Sequence, residues 1–404
     1  MKTLILLQKG PVFTVNLEKI SQGVGVWIHL ICNEKSYLQV CERGQQHFLK
    51  SVTLLTDFDF ESLKAPIATL LQGHHLQTAR LATNAEPLVA VTAQLREFFG
   101  IPGELSPVGE CFTDKVKMKQ SLAHHGIPVP RYATFDPNAY AQAPTSYLTS
   151  LTRNLSFPLI AKPNNAAGSV GVTPLKDANA LTDWAKQAKT GTFELDEFIE
   201  GTLYHCDSFV FQGRVLYTAI CEYGALPHTF MSGKNVGSIT LPEDHPLFTP
   251  LCKFSENVIS HFSTTLSGVT HLEVFVKPDG RFVFLEIAYR GGGVGIPKMY
   301  KKQLGVDLFS THFILQCTEH YQWGYTPKGY AAWVMFSPLS GIYSLTDLPT
   351  VESEIHLIKK NPEITHNTIC TSLREYTMSI FLWHECFNIL LKDFQKLCAY
   401  ETAL

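Results

Sequence analysis

The stretch Val269–Arg290 leaves little freedom in how it can fold. Apolar residues alternate along both of its halves, and between them stands Asp279-Gly280, the dipeptide favoured in a two-residue hairpin loop. With that loop setting the register, Glu273 lies opposite Glu286 and Phe275 opposite Phe284. Leu272, Val274, Val276, Val283, Leu285 and Ile287 then share the other face, an unbroken apolar surface that must meet a core. Two carboxylates opposed across a ladder, with Cβ atoms about 4.5–5.5 Å apart, repel each other. A hard divalent cation balances such a pair, and Mg²⁺ commonly takes carboxylates together with substrate phosphates. The plainer alternative is a solvated sheet edge on which the two glutamates repel weakly. Arg290 follows on the glutamate face if the strand continues, and Gly291-Gly292-Gly293 lets the backbone approach an anion closely.

A second constellation lies upstream. Leu159–Pro163 is an apolar strand interrupted by Lys162, and Asn164–Gly171 is a loop of small residues. Such a loop can converge its N–H groups on phosphate oxygens beside a lysine point charge, or it can be an ordinary turn beside a surface lysine. It has neither the Lys-Ser/Thr ending of a Walker A loop nor the helix-opening glycines of a dinucleotide fingerprint. Ala167–Gly171 imitates a serine nucleophile elbow, but Val172-Thr173-Pro174 continues as extended chain where the elbow requires a helix.

A length of 404 residues suits two or three lobes. The first hundred residues alternate predicted strands (Thr3–Leu7, Val26–Cys32, Ser51–Leu55, Thr78–Ala82) with predicted helices (Phe60–Gln72, Glu86–Phe99), an open α/β layout. Thr113 is placed as the cap of a helix that Gly126 ends. The expected division is an N-terminal α/β domain over 1–106, a central domain over 107–324 and a small α+β lobe over 325–404. A net charge of −3 gives no electrostatic reason for a nucleic acid or membrane partner. Ten scattered cysteines and a short apolar start broken by Gln8-Lys9-Gly10 point to a cytoplasmic protein.

Several segments recur in the order of a known family: Thr113-Asp114-Lys115 with Gly126–Pro130, Pro158–Pro163 with its loop, Asp196–Gly201, His271-Leu272-Glu273, and Leu285–Gly293. Together they resemble the ATP-grasp superfamily, and within it the carboxylate–amine ligases, from about Thr113 to Leu304. The resemblance implies an ATP-dependent enzyme that activates a carboxylate as an acyl-phosphate, joins it to an amine, and releases ADP and phosphate. In fold, it implies that the central domain has two lobes, with a lid at about 128–192. It further implies that Lys115 and Lys162 contact the phosphates, with Ala167, Gly168, Ser169 and Gly171 closing over them. Asp196, Glu197, Phe198 and Ile199 would meet the adenine, Glu273 and Glu286 would carry Mg²⁺ (or Mn²⁺), and Arg290 would act on the transferred group or the substrate carboxylate. Two departures stand out. Leu203 occupies the position where the family often binds ribose through a glutamate, leaving Glu200 or Asp207 as substitutes, and Ala288 replaces a frequent asparagine beside the metal. These departures keep open the reading of a weakly catalytic ATP-binding regulator; a carboxylase of the same fold, differing in the acceptor, is a second alternative. The expected partners are small carboxylates and amines, with a homodimer compatible.

Overall fold

In the computed structural model the described residues are 2–10, 15–73, 75–165, 168–188 and 190–401. The N-terminal unit is a parallel sheet of β1 (Lys2–Gln8), β2 (Val26–Cys32), β3 (Leu49–Leu54) and β4 (Ala79–Thr83), ordered β3-β2-β1-β4. Strands β1, β2 and β4 are largely buried on both faces, as a parallel sheet requires, while β3 forms a half-exposed edge. Helices Phe60–Leu71 and Val89–Phe99 cover one face. Two helices not expected from the sequence, Leu17–Val24 and Glu34–Glu42, serve the other. Both are short, and Asn16 and Asn33 begin them by accepting from the N–H groups of Lys19 and Ser36.

A small lobe follows, with β5 (Tyr132–Phe135), β6 (Leu159–Pro163), β7 (Thr173–Leu175) and β8 (Phe193–Glu197) in the antiparallel order β5-β8-β6-β7. Leu159, Ala161, Leu181 and Leu195 form its own core. The remaining strands are β9 (Thr202–Phe211), β10 (Arg214–Tyr223), β11 (Val236–Thr240), β12 (Gly268–Val276), β13 (Phe282–Ala288), β14 (Tyr330–Phe336), β15 (Glu354–Lys360) and β16 (Met378–His384). They make one antiparallel sheet ordered β13-β12-β9-β10-β11-β14-β16-β15. Helices Lys115–His124 and Phe248–Phe262 pack on one face of its β9–β13 half, and Ile296–Leu304 packs on the opposite face. Helix Leu308–Cys317 places Phe313 and Cys317 in the N-terminal core and Leu308 and Leu315 in the large-sheet core, so it joins the two units.

Two local expectations are corrected. The cap of helix Lys115–His124 is Asp114, whose carboxylate accepts from the N–H groups of Val116 and Lys117; the Thr113 hydroxyl instead bonds back to the Gly109 and Glu110 carbonyls. The hairpin loop has three residues, Pro278-Asp279-Gly280, with Gly280 at φ +82° and Lys277 donating to the Arg281 carbonyl. Val276 therefore pairs with Phe282, and Phe275 with Val283 rather than Phe284. A bulge at Leu285 then restores the register, and Glu273 does face Glu286. The slip moves Phe284 into the core with Val274 and Ile287, and turns Val283 and Leu285 to the other face beside Phe275.

Candidate active site

The chain passes from the small lobe to the large sheet at 198–201, between β8 and β9. Gly201 lets this crossing touch β12, since a Cβ there would stand 2.6 Å from the Val276 carbonyl oxygen. A cleft opens beside the crossing, between the two lobes. Ile199, Leu203, Leu226, Phe275 and Leu285 line an apolar end, while Lys115, Lys162, Glu273 and Glu286 line a charged one. The register explains this gradient: on one face, β9 and β12 run from the pair Leu203–Phe275 to the pair His205–Glu273. Leu285 enters the lining through the bulge.

Each predicted phosphate-side lysine has a distinct mooring. The Lys115 ammonium lies 3.2 Å from Glu286. Lys162, on β6, meets Asp196 at 2.8 Å and Glu194 at 3.0 Å on the neighbouring β8. Burial opposes its charge, but Asp196, Glu194 and Glu286 outweigh burial and hold its pKa above the ordinary lysine value. Sequence reasoning missed Lys119, four residues beyond Lys115 and so on the same helix face. It is fully buried, touches both oxygens of Asp196 at 2.5 and 2.6 Å, and lies 2.9 Å from Glu194. Neither oxygen of Glu194 makes an aligned hydrogen bond among the described residues, so charge alone holds it there.

Asp196 lines the cleft, yet its oxygens are engaged by Lys119 and Lys162 rather than open to an adenine amino group. Burial works against its charge and the two lysines prevail, lowering its pKa. The Glu197 carboxylate is taken by the Arg131 guanidinium at 2.9 Å and its main-chain N–H at 3.0 Å. Phe198, Ile199, Gly168 and Ser169 line the cleft; Gly171 is not in the lining, and Ala167 lies outside the described residues. A Cβ at Gly171 would meet the Pro163 ring at 2.9 Å.

Asp207 is not part of the lining. It is fully buried and accepts from His205 (2.6 Å), His271 (2.8 Å) and Tyr300 (2.6 Å), so it has no oxygen for a ribose. Glu200 is exposed outside the cleft lining. Arg290 lies past the end of β13, where its guanidinium grips Glu86 of the N-terminal unit at 2.5 and 3.0 Å and the Gly291 carbonyl at 2.9 Å.

The glutamate pair suits a hard cation. Its carboxylates face one another across the ladder with side chains 12% and 33% exposed, and both border the cleft. Burial works against the charge of Glu286, but Lys115 and Lys162 bring its pKa down to about 2, so it offers an anion throughout the physiological range.

Known proteins resemble this chain in sequence and in fold. Residues 122–207 match the family model for the D-ala D-ala ligase C-terminus. The L-arginine-specific L-amino acid ligase of Bacillus subtilis is 25% identical over 240 residues, which are 57% of this chain and 56% of that enzyme. The chain thus spans about half the length of that curated relative. A D-alanine–D-alanine ligase from Natranaerobius thermophilus is 35% identical over 68 residues, 17% of this chain and 19% of its own length. In fold, the likeness runs from end to end. The L-amino acid ligase of Bacillus licheniformis superposes with a TM-score of 0.71 at 17% identity, covering 100% of this chain and 99% of its own. The chain has the fold of the ATP-grasp ligases. Another structure of the superfamily, an ADP complex of N5-carboxyaminoimidazole ribonucleotide synthetase, follows at TM-score 0.69 and 13% identity over 98% and 96% of the two chains. No helix among the described residues is long and apolar enough to cross a membrane.

Proposed function

We propose that this chain is an ATP- and Mg²⁺-dependent ligase that joins a small carboxylic acid to an amine through an acyl-phosphate, releasing ADP and phosphate. The observation that carries this reading is the cleft itself: an apolar end at the lobe crossing, and at the other end two lysines and two opposed glutamates. The N-terminal unit and the segment 325–404 complete the substrate site, and about 128–192 closes as a lid.

A carboxylate is a poor acyl donor because it is anionic and would have to expel oxide. Phosphorylation replaces that leaving group with phosphate, which a neutral amine can displace. The protein's part is positioning and charge neutralisation. Adenine would lie against Leu203, Phe275 and Leu285 and be read by main-chain groups of 197–199. Lys162, held by Glu194 and Asp196, would meet the phosphates. Lys115 would exchange part of its hold on Glu286 for a phosphate oxygen. Glu273 and Glu286 would hold Mg²⁺, which supplies Lewis-acid neutralisation of phosphate charge. Arg290 would face the charge that develops on the transferred phosphoryl group or bind the substrate carboxylate. Its partner Glu86 is an anion suited to an ammonium group, and the likeness to L-amino acid ligases favours an amino acid as one substrate.

The test is ADP release by the purified protein with Mg-ATP, screened against pooled amino acids and small carboxylic acids, beside Glu286→Gln. A pool that stimulates release, with stimulation abolished in the variant, is expected. AMP in place of ADP, or failure to bind Mg-ATP, would sink the proposal. Dependence on bicarbonate without an amine would redirect it to carboxylation.

A further inference from the structure

Glu273 and Glu286 are held in different ways. Glu286 rests on Lys115, whose buried ammonium lies 3.2 Å away and borders the cleft. Glu273 instead accepts the Tyr223 hydroxyl at 2.8 Å on Oε1, and Nε2 of His271 lies 3.7 Å from the same oxygen. The His271 ring is fixed in turn. Its Nδ1 stands 2.8 Å from Asp207, and a Cβ on Gly292 would come within 2.9 Å of that nitrogen, so the glycine run packs directly against the ring. Asp207 is completed by His205 and Tyr300, and Nε2 of His205 ends on the Ser238 hydroxyl at 2.8 Å.

His205, Asp207 and His271 carry the ligand types of a transition-metal site, with their ligand atoms within 4.8 Å of one another. Their N–O contacts of 2.6 and 2.8 Å are nevertheless those of hydrogen bonds. Donors around one tetrahedral ion at about 2.0–2.1 Å stand roughly 3.3 Å apart. The cluster is therefore a closed hydrogen-bond network. An ionised carboxylate can only accept, so the bond to Asp207 requires a proton on Nδ1 of His271 and turns Nε2 toward Glu273. The network reaches from β9, β10, β11 and β12 to helix Ile296–Leu304 and ends at one oxygen of one cleft carboxylate.

We infer that Tyr223, His271 and Asp207 are positioning residues for Glu273: the Tyr223 hydroxyl occupies Oε1, the His271 ring held by Asp207 stands beside that oxygen, and together they fix the side chain so that Oε2 remains for the divalent cation. This rests on the reading that Glu273 and Glu286 hold the metal. Outer partners of metal ligands commonly contribute about 10–100-fold to metal affinity.

The test uses the full-length protein and Mn²⁺ as probe, with binding followed by electron paramagnetic resonance in the presence of a non-hydrolysable ATP analogue. Binding of metal-free ADP and the melting temperature are measured in parallel. Tyr223→Phe removes only the hydroxyl, and His271→Gln keeps a polar side chain of similar reach. Each is expected to weaken Mn²⁺ binding about 10–100-fold, while metal-free ADP binds within about twofold of wild type. Mn²⁺ affinity within about threefold of wild type in both variants overturns the inference. So does an equal loss of metal-free ADP, since a merely structural network would damage the whole cleft. Glu273→Gln separates the two levels of the claim. If it leaves Mn²⁺ affinity intact, the metal reading itself fails and the inference with it. If it abolishes Mn²⁺ binding while both other variants bind normally, only the positioning role is lost.

Discussion

Replacing Lys119 with methionine keeps most of the side chain's length and removes its charge, leaving Glu194 and Asp196 to share Lys162 alone. Deleting one partner of a buried ionic cluster costs about 3–5 kcal/mol, because the remaining charge stays behind without water. For a unit of about 150–250 residues each kcal/mol lowers Tm by about 2–4 °C, so Lys119→Met should melt about 6–20 °C below wild type at neutral pH, read by scanning calorimetry. The pH dependence has a definite sign. Against the effect of burial, the lysines hold the Asp196 pKa below the ordinary value. A carboxylate of this kind contributes stability that is present above its unfolded value near 3.9 and is lost as pH falls through the lower folded value. The variant's deficit should therefore narrow below about pH 4. Adding Asp196→Asn to Lys119→Met should recover part of the loss, since the two residues are in contact. A deficit under about 2 °C, or one that widens on acidification, would refute the bracing role of Lys119.

His312 gives the opposite case for an imidazole. Its Nδ1 accepts from the Val269 N–H at 3.0 Å and its Nε2 donates to the Thr83 carbonyl at 3.1 Å, while burial draws its pKa down to about 4. Stability from the neutral ring is present above the unfolded value near 6.5 and lost as pH falls toward 4, about 3 kcal/mol in all. Denaturant titrations at pH 7.5 and 4.5 should show that loss, and show it reduced in His312→Gln. At the apolar end of the cleft, Leu203 stands where a sugar-binding acid would serve, and Asp207 and Glu197 are both engaged. The kcat/KM for 2′-deoxy-ATP is accordingly expected within about threefold of that for ATP, and a preference for ATP above about tenfold would reveal a polar sugar contact. In Gly292→Ala the new Cβ would meet Ile296 Cδ1 at 2.6 Å and His271 Nδ1 at 2.9 Å. We expect about 1–3 kcal/mol of destabilisation and weakened Mn²⁺ binding; a wild-type melting curve and affinity would contradict the packing described for this loop.

Strand positions and the order of the site segments were legible because they depend on local periodicity. β2 and β6 run over the residues expected, and Glu273 faces Glu286 as expected. That last agreement has an unexpected cause. The three-residue loop displaces the ladder by one, and the bulge at Leu285 reverses the displacement before the glutamates are reached. Alternation fixes which residues share a face only while the register is unbroken. Phe284, Val283 and Leu285, between the loop and the bulge, were therefore assigned to the wrong sides, and with them one wall of the cleft was missed.

The fates of Asp196 and Asp207 show a different limit. Both sit where spacing along the chain places them, on β8 and β9, flanking the lobe crossing. What each carboxylate does depends on who reaches it first. The nearest cation to Asp196 arrives from 77 residues upstream, on a helix whose face alone hints that Lys119 accompanies Lys115. Asp207 takes His271 from 64 residues downstream and Tyr300 from 93. A buried carboxylate with no such partner would be strongly disfavoured, so the partners decide which acids are left for a ligand. Motif spacing can nominate six acids for a nucleotide and its metal. Only the packing of β9 against β12 and of helix Lys115–His124 against β8 leaves Glu273 and Glu286 bordering the cleft, Glu273 with an oxygen to spare and Glu286 beside Lys115, while Asp196, at the cleft wall, is spent on two lysines and Asp207 is spent inside the protein.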